Sequence, residues 1–167
     1  MTNFKKFAFV PALALAAALP FASASAGESG EDIVVTSPGE MEAWQASATR
    51  SLNRALEHNP MERTATPGSG IVQVTFSLGA DGRPDDIELY SSSANWVSER
   101  SAMRAVRRLG DLSDVPVRNA EGAQFLANII FADDVVEHQE LAATLRKKER
   151  ARLASESSER SLIALGG

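Results

Sequence analysis

The chain has 167 residues, 44% of them hydrophobic and 23% charged. That balance excludes collagen-like and wholly disordered material, and the length suits one domain of ordinary size. Cysteine is absent and histidine occurs twice, which excludes disulfides, thiolate metal sites, cysteine nucleophiles and multi-histidine metal centres.

Residues 1–26 read as a secretory signal peptide. Lys5 and Lys6 form a basic head, Phe7 to Phe21 run apolar, and Ala24-Ser25-Ala26 offers the small residues that a signal peptidase reads. The apolar stretch is shorter than the roughly 20 residues that span a bilayer, and Pro11 and Pro20 disfavour a straight helix. The alternative is an uncleaved inner-membrane anchor, and membrane contact is expected only in that case. Beyond position 26 stand 15 basic against 22 acidic residues, a net charge of −7. Such a chain repels phosphate backbones on average, so nucleic acid is not an expected partner.

Residues 27–37 are polar and open Gly/Ser-rich, as a short tether would. Met41, Trp44, Ala48, Leu52 and Ala55 or Leu56 then recur at spacings of three and four, the stripe of an amphipathic helix with Trp44 as core anchor. Ser37-Pro38 suits its start and Asn59-Pro60 its end. After Pro67, Gly68 and Gly70 the period changes. Val72, Val74, Phe76 and Leu78 alternate with polar residues, and Ile87 and Leu89 resume the alternation after a turn in which Gly82 can take positive φ. Ser91-Ser92-Ser93 ends this hairpin.

A second helix is expected from about Val97 to Leu109, capped by Asn95 or Ser98, with Gly110 at a left-handed C-terminal position. Val115-Pro116 leads out of a polar loop. Gln124 to Phe131 reads as a third strand, and its loose alternation implies cover on both faces. From Glu137 the chain reads as weakly amphipathic helix followed by a Ser/Glu-rich stretch. The expected fold is α+β, two helices packed on a three-stranded antiparallel sheet in the order α-β-β-α-β. Residues 38–134 form the domain and 135–167 a polar helical or disordered tail.

One ordered set of residues carries a resemblance. Trp44 in the first helix precedes Gly70-x-Val72-x-Val74-x-Phe76, then Asp81-Gly82-Arg83-Pro84, Ile87 and Ser91-Ser92. The helix Ser98 to Arg107, Val115-Pro116 and a strand ending in Phe131 follow. Over roughly 41–134 this succession resembles the C-terminal domain of the TonB family of energy transducers. The resemblance implies a non-catalytic periplasmic module of a Gram-negative cell envelope, serving transmembrane transport without a cofactor or metal. It implies an outer-membrane receptor or transporter whose extended segment adds to the sheet edge, or self-pairing there. The implied edge is Gln124, Phe125, Leu126, Ala127, Asn128, Ile129 and Ile130.

The chain departs from energy-transducing members in lacking a histidine in residues 1–26 and a long Pro-rich spacer. The interval from the apolar segment to the first helix is about 14 residues, at most roughly 50 Å when fully extended. A free-standing periplasmic binding domain is therefore expected rather than a force-transmitting rod. The alternative readings are a short accessory protein anchored in the inner membrane and, with little behind it, a small hydrolase.

Arg100, Arg104, Arg107 and Arg108 line the outer side of the second helix and offer a docking face for an acidic receptor segment or anionic lipid. Asp85-Asp86 and Asp133-Asp134 are adjacent carboxylates, and strand neighbours point to opposite faces, which does not build an acid–base pair. His58 sits at a helix end, and His138 with Glu137 and Glu140 makes a poor metal site. Ser91-Ser92-Ser93 lacks the glycine elbow of a serine nucleophile.

Overall fold

The structure, a computed structural model, describes residues 37–58, 66–120, 122–155 and 158–167. The expected signal peptide, tether residues 27–36 and Asn59-Pro60 lie outside the described residues.

Helix α1 (Pro38–Glu57) opens on Pro38, whose missing N–H would have no helical partner, while Ser37 is extended and makes no side-chain cap. Met41, Trp44, Ala48 and Leu52 are its buried stripe. Strands β1 (Gly70–Leu78) and β2 (Pro84–Ser92) form the expected hairpin. Gly82 turns it with φ 72°, and a Cβ there would strike the Asp111 carboxylate. Helix α2 (Trp96–Arg107) is capped by Asn95, whose Oδ1 accepts from Ser98 N at 3.0 Å. Gly110 is not in the left-handed region. Instead Arg108 and Leu109 donate to Ala105 and Val106 over three residues, a tightened last turn that satisfies the carbonyls without a left-handed residue.

Strand β3 (Phe125–Phe131) runs antiparallel to β1, and β4 (Ile163–Gly166) runs parallel to β3, giving the order β2-β1-β3-β4. Alternation sends Val72, Val74 and Phe76 of β1, and Phe125, Ala127 and Ile129 of β3, toward α1 and α2. Phe125 lies between Phe76 and Trp44, with ring centroids 5.1 and 5.7 Å away.

The other face is covered by α3 (Val135–Ala154), which buries Leu145 and Arg152. Beneath it lie Ile71, Gln73, Leu126 and Asn128, all buried. Gln73 and Asn128 are direct cross-strand partners, and Gln73 Nε2 donates to Asn128 Oδ1 at 2.8 Å and to Glu149 Oε1 at 3.4 Å. The domain is α+β, with helices on both faces of the sheet. Two details differ from the sequence expectation. The described residues hold three α-helices rather than two, and the sheet is mixed and four-stranded rather than three-stranded and antiparallel. Residues 135–154 are a packed layer, and 163–166 are a strand, not a tail.

Candidate peptide-binding edge

The expected edge is largely occupied. β4 pairs with β3 from Phe125↔Ile163 to Asn128↔Gly166, and Ile163 N donates to Gln124 O at 2.9 Å. Phe125, Leu126, Ala127 and Asn128 are therefore interior to the sheet, which corrects the expectation of an open edge there. Ile129 and Ile130 lie beyond the β4 register. The reason is that a row of unpaired main-chain groups beside buried apolar residues captures any extended segment of suitable pattern, and this chain carries one.

Ile163 and Leu165 enter the core beside Phe125 and Ala127, at 7% and 2% exposure. Ala164 shares the opposite face with Leu126. The main-chain groups of β4 that point away from β3 are also engaged. Gln45 Nε2 donates to Ala164 O at 2.9 Å, and Gly166 N donates to Thr49 Oγ1 at 3.0 Å. Gln45 and Thr49 stand one helical turn apart on α1, so their side chains share a face. Between β3 and α1 there is thus a slot one strand wide, read by hydrogen bonds on both sides. Gly166 has φ 83°, and a Cβ there would collide with the Asn128 main-chain oxygen.

A clasp precedes the slot. The guanidinium of Arg152, buried under the chain, donates through Nε and Nη2 to Glu149 Oε2 at 3.1 and 2.8 Å. Its Nη1 donates to the main-chain oxygens of Glu159 and, at 3.3 Å, Leu162. Tyr90 Oη donates to Glu159 Oε1 at 2.7 Å, and this bond holds the phenol above its ordinary pKa. These contacts seat the 3₁₀ turn Ser158–Ser161 from which β4 departs.

The opposite edge, β2, carries Pro84, Asp85, Asp86 and Glu88 and two irregularities in its pairing with β1. Proline, charge and bulges discourage strand addition. Asp86 has φ 47° and accepts from Ser77 Oγ at 3.2 Å, so the adjacent carboxylates serve the edge and do not converge. Asp134 caps α3, accepting from Glu137 N at 2.8 Å, and Glu137 Oε2 accepts from Ser69 Oγ and Asp133 N. His58 Nδ1 meets Arg54 O at 2.8 Å. Ser92 Oγ accepts from Ala94 N within the turn, and Ser93 Oγ accepts from Ile71 N of β1. Among the described residues no group of three or more His, Asp or Glu could hold a metal.

Of the α2 arginines, Arg100 stacks on Trp96 with its guanidinium carbon 5.5 Å from the ring centroid. Arg108 Nη1 donates to His58 O at 3.1 Å, Arg104 is half-buried and Arg107 is exposed. Sequence reasoning missed Gln45, Thr49, Arg152 and β4. The signal for β4 was short but present: Ile163 and Leu165 flank Ala164, and Gly166 follows.

No protein-family model, curated protein or solved structure matches this chain. Among the described residues no helix is long and apolar enough to cross a membrane.

Proposed function

We propose that this chain is a non-catalytic periplasmic peptide-capture module, which binds an extended segment of an outer-membrane transporter in the slot that β4 fills. The observation that carries this reading is β4 itself, a four-residue segment held by main-chain bonds to β3 and side-chain bonds from α1. The slot's chemistry is that of strand addition, in which the backbone supplies affinity and alternate side chains supply selectivity.

The energetics favour exchange. Burying Ile163 and Leu165 contributes about 3–6 kcal/mol. Fixing four residues of backbone costs about 4–8 kcal/mol, and each net hydrogen bond returns about 1 kcal/mol. These terms nearly cancel, so the resident strand relies on the Arg152 clasp for its hold, and a foreign segment in excess competes for its place. Addition outside β4 is disfavoured because Gln45 and Thr49 already take its outward groups. The ordered resemblance to the TonB C-terminal domain and the signal-like residues 1–26 support the transport setting and the compartment.

The test is amide shift mapping of the full chain on addition of N-terminal peptides from outer-membrane receptors. Binding in the slot shifts Phe125–Asn128 and releases Ile163–Gly166. A panel that perturbs neither segment refutes the reading.

A further inference from the structure

The slot has a side pocket that its resident strand leaves empty. On the face opposite Ile163 and Leu165, beside Ala164, lies a groove of about 510 Å³ between α3 and β4. Ala142, Leu145 and Leu153 form its apolar lining, and Arg146, Glu149 and Arg150 also border it. Leu153 is 53% exposed, a large aliphatic side chain left partly uncovered at the end of α3, far along the helix from the exposed Val135 and Val136 of its first turn. The methyl group of Ala164 is far too small to fill such a volume.

We propose that the slot selects a segment of the pattern aliphatic–aromatic–aliphatic–glycine, running parallel to β3, with its aromatic ring in this groove. The proposal rests on the strand-exchange reading above and names the ligand's chemistry. Each position follows from the resident strand. The two aliphatic positions are those of Ile163 and Leu165, buried against the core between β3 and α1. Glycine is required at the fourth because its backbone has φ 83° and stands against the Asn128 main-chain oxygen. The second position faces the groove, where an apolar floor receives a flat ring and the guanidinium groups of Arg146 and Arg150 can lie over it.

An aspartate at that position would leave Leu153 uncovered, so an aromatic residue is the better match. It also explains how a foreign segment overcomes a tethered competitor. The internal strand has the advantage of effective concentration, whereas the foreign ring covers apolar surface that Ala164 leaves open.

Fluorescence anisotropy on the full chain tests this with three labelled heptapeptides. They are Ser-Leu-Ile-Ala-Leu-Gly-Gly, which copies residues 161–167, its Phe-for-Ala analogue, and that analogue with Ala for the first Gly. The phenylalanine peptide is expected to bind at least ~10-fold tighter than the copy, and the third peptide to lose that gain. Leu153→Ser should erase the preference for phenylalanine, bringing the first two peptides to equal affinity.

Equal binding of the first two peptides overturns the groove assignment but leaves strand exchange standing. Absence of binding by all three, in the full chain and in an Ile163→Ser, Leu165→Ser variant with a weakened resident strand, overturns strand exchange as well. The full-chain variant Ala164→Phe gives an independent reading. It should protect the Ile163 amide from hydrogen exchange more than wild type and slow peptide entry. A fall in that protection shows that no ring fits.

Discussion

Replacing Arg152 by methionine should free the segment 158–166 while the core between the sheet and its first two helices persists. Methionine keeps most of the buried stem but removes the bonds to Glu149, Glu159 O and Leu162 O. Hydrogen bonds to charged groups contribute about 1.5–3 kcal/mol each. Glu149 is partly exposed, with 19% of its side chain accessible, and recovers some hydration. A net loss of about 2–4 kcal/mol for the cluster follows. At about 1.4 kcal/mol per factor of ten, local opening of β4 becomes roughly thirty- to a thousand-fold more frequent. Native-state hydrogen exchange reads this at Ile163, bonded to Gln124 O, and at Gly166, bonded to Thr49. The β1 amides from Val72 to Phe76 serve as the internal reference. Arg152→Lys should fall close to the methionine variant, because an ammonium cannot reproduce the forked contacts. The reasoning is refuted if Ile163 keeps its protection, or loses it only in step with β1, since the arginine would then stabilise the whole domain rather than the strand.

Three further outcomes follow from the geometry. Gln73→Leu or Asn128→Leu alone should cost about 1–3 kcal/mol in urea unfolding, because each strands a buried amide, whereas the double variant should recover much of that loss. Asn95→Ala should cost about 1 kcal/mol of stability by leaving Ser98 N unsatisfied, measurable as a lower urea midpoint with unchanged slope. The Tyr90 phenol is held neutral in the folded chain, chiefly by its bond to Glu159, so its contribution is full below the unfolded value near 10. It is lost as pH rises from there through the higher folded value. Ile163 protection should drop across that alkaline window, and Tyr90→Phe should remove the drop.

How much of this was legible in the sequence depended on how many residues shared a face. Val72, Val74, Phe76 and Leu78 supply four inward positions in a row, and Met41, Trp44, Ala48 and Leu52 a full helical stripe, so period alone located β1 and α1. The loose alternation of β3 correctly implied cover on both faces, since Leu126 and Asn128 are buried opposite Phe125 and Ala127. What covers the second face was not legible. α3 buries Leu145 and Arg152, a leucine and a guanidinium seven residues apart, and rests partly on the amides of Gln73 and Asn128. No apolar period marks such a helix. β4 offers two inward residues, too few to distinguish a strand from a polar stretch, and its place was set by a slot that exists only after β3 and α1 have assembled. The edge was identified by its residues but taken as open, because occupancy by a segment more than 30 residues away leaves no local trace in β3.

The most direct test of the account is the orientation and position of a bound peptide. The full chain should be titrated with the phenylalanine heptapeptide carrying a spin label at its C-terminal end, and paramagnetic broadening recorded for each backbone amide. Parallel capture in the place of β4 broadens Asn128, Ile129 and Thr49 more strongly than Gln124 and Phe125, and shifts Ile163–Gly166 toward free-chain positions. Broadening centred on β2, or the same broadening with β4 still in place, contradicts the account.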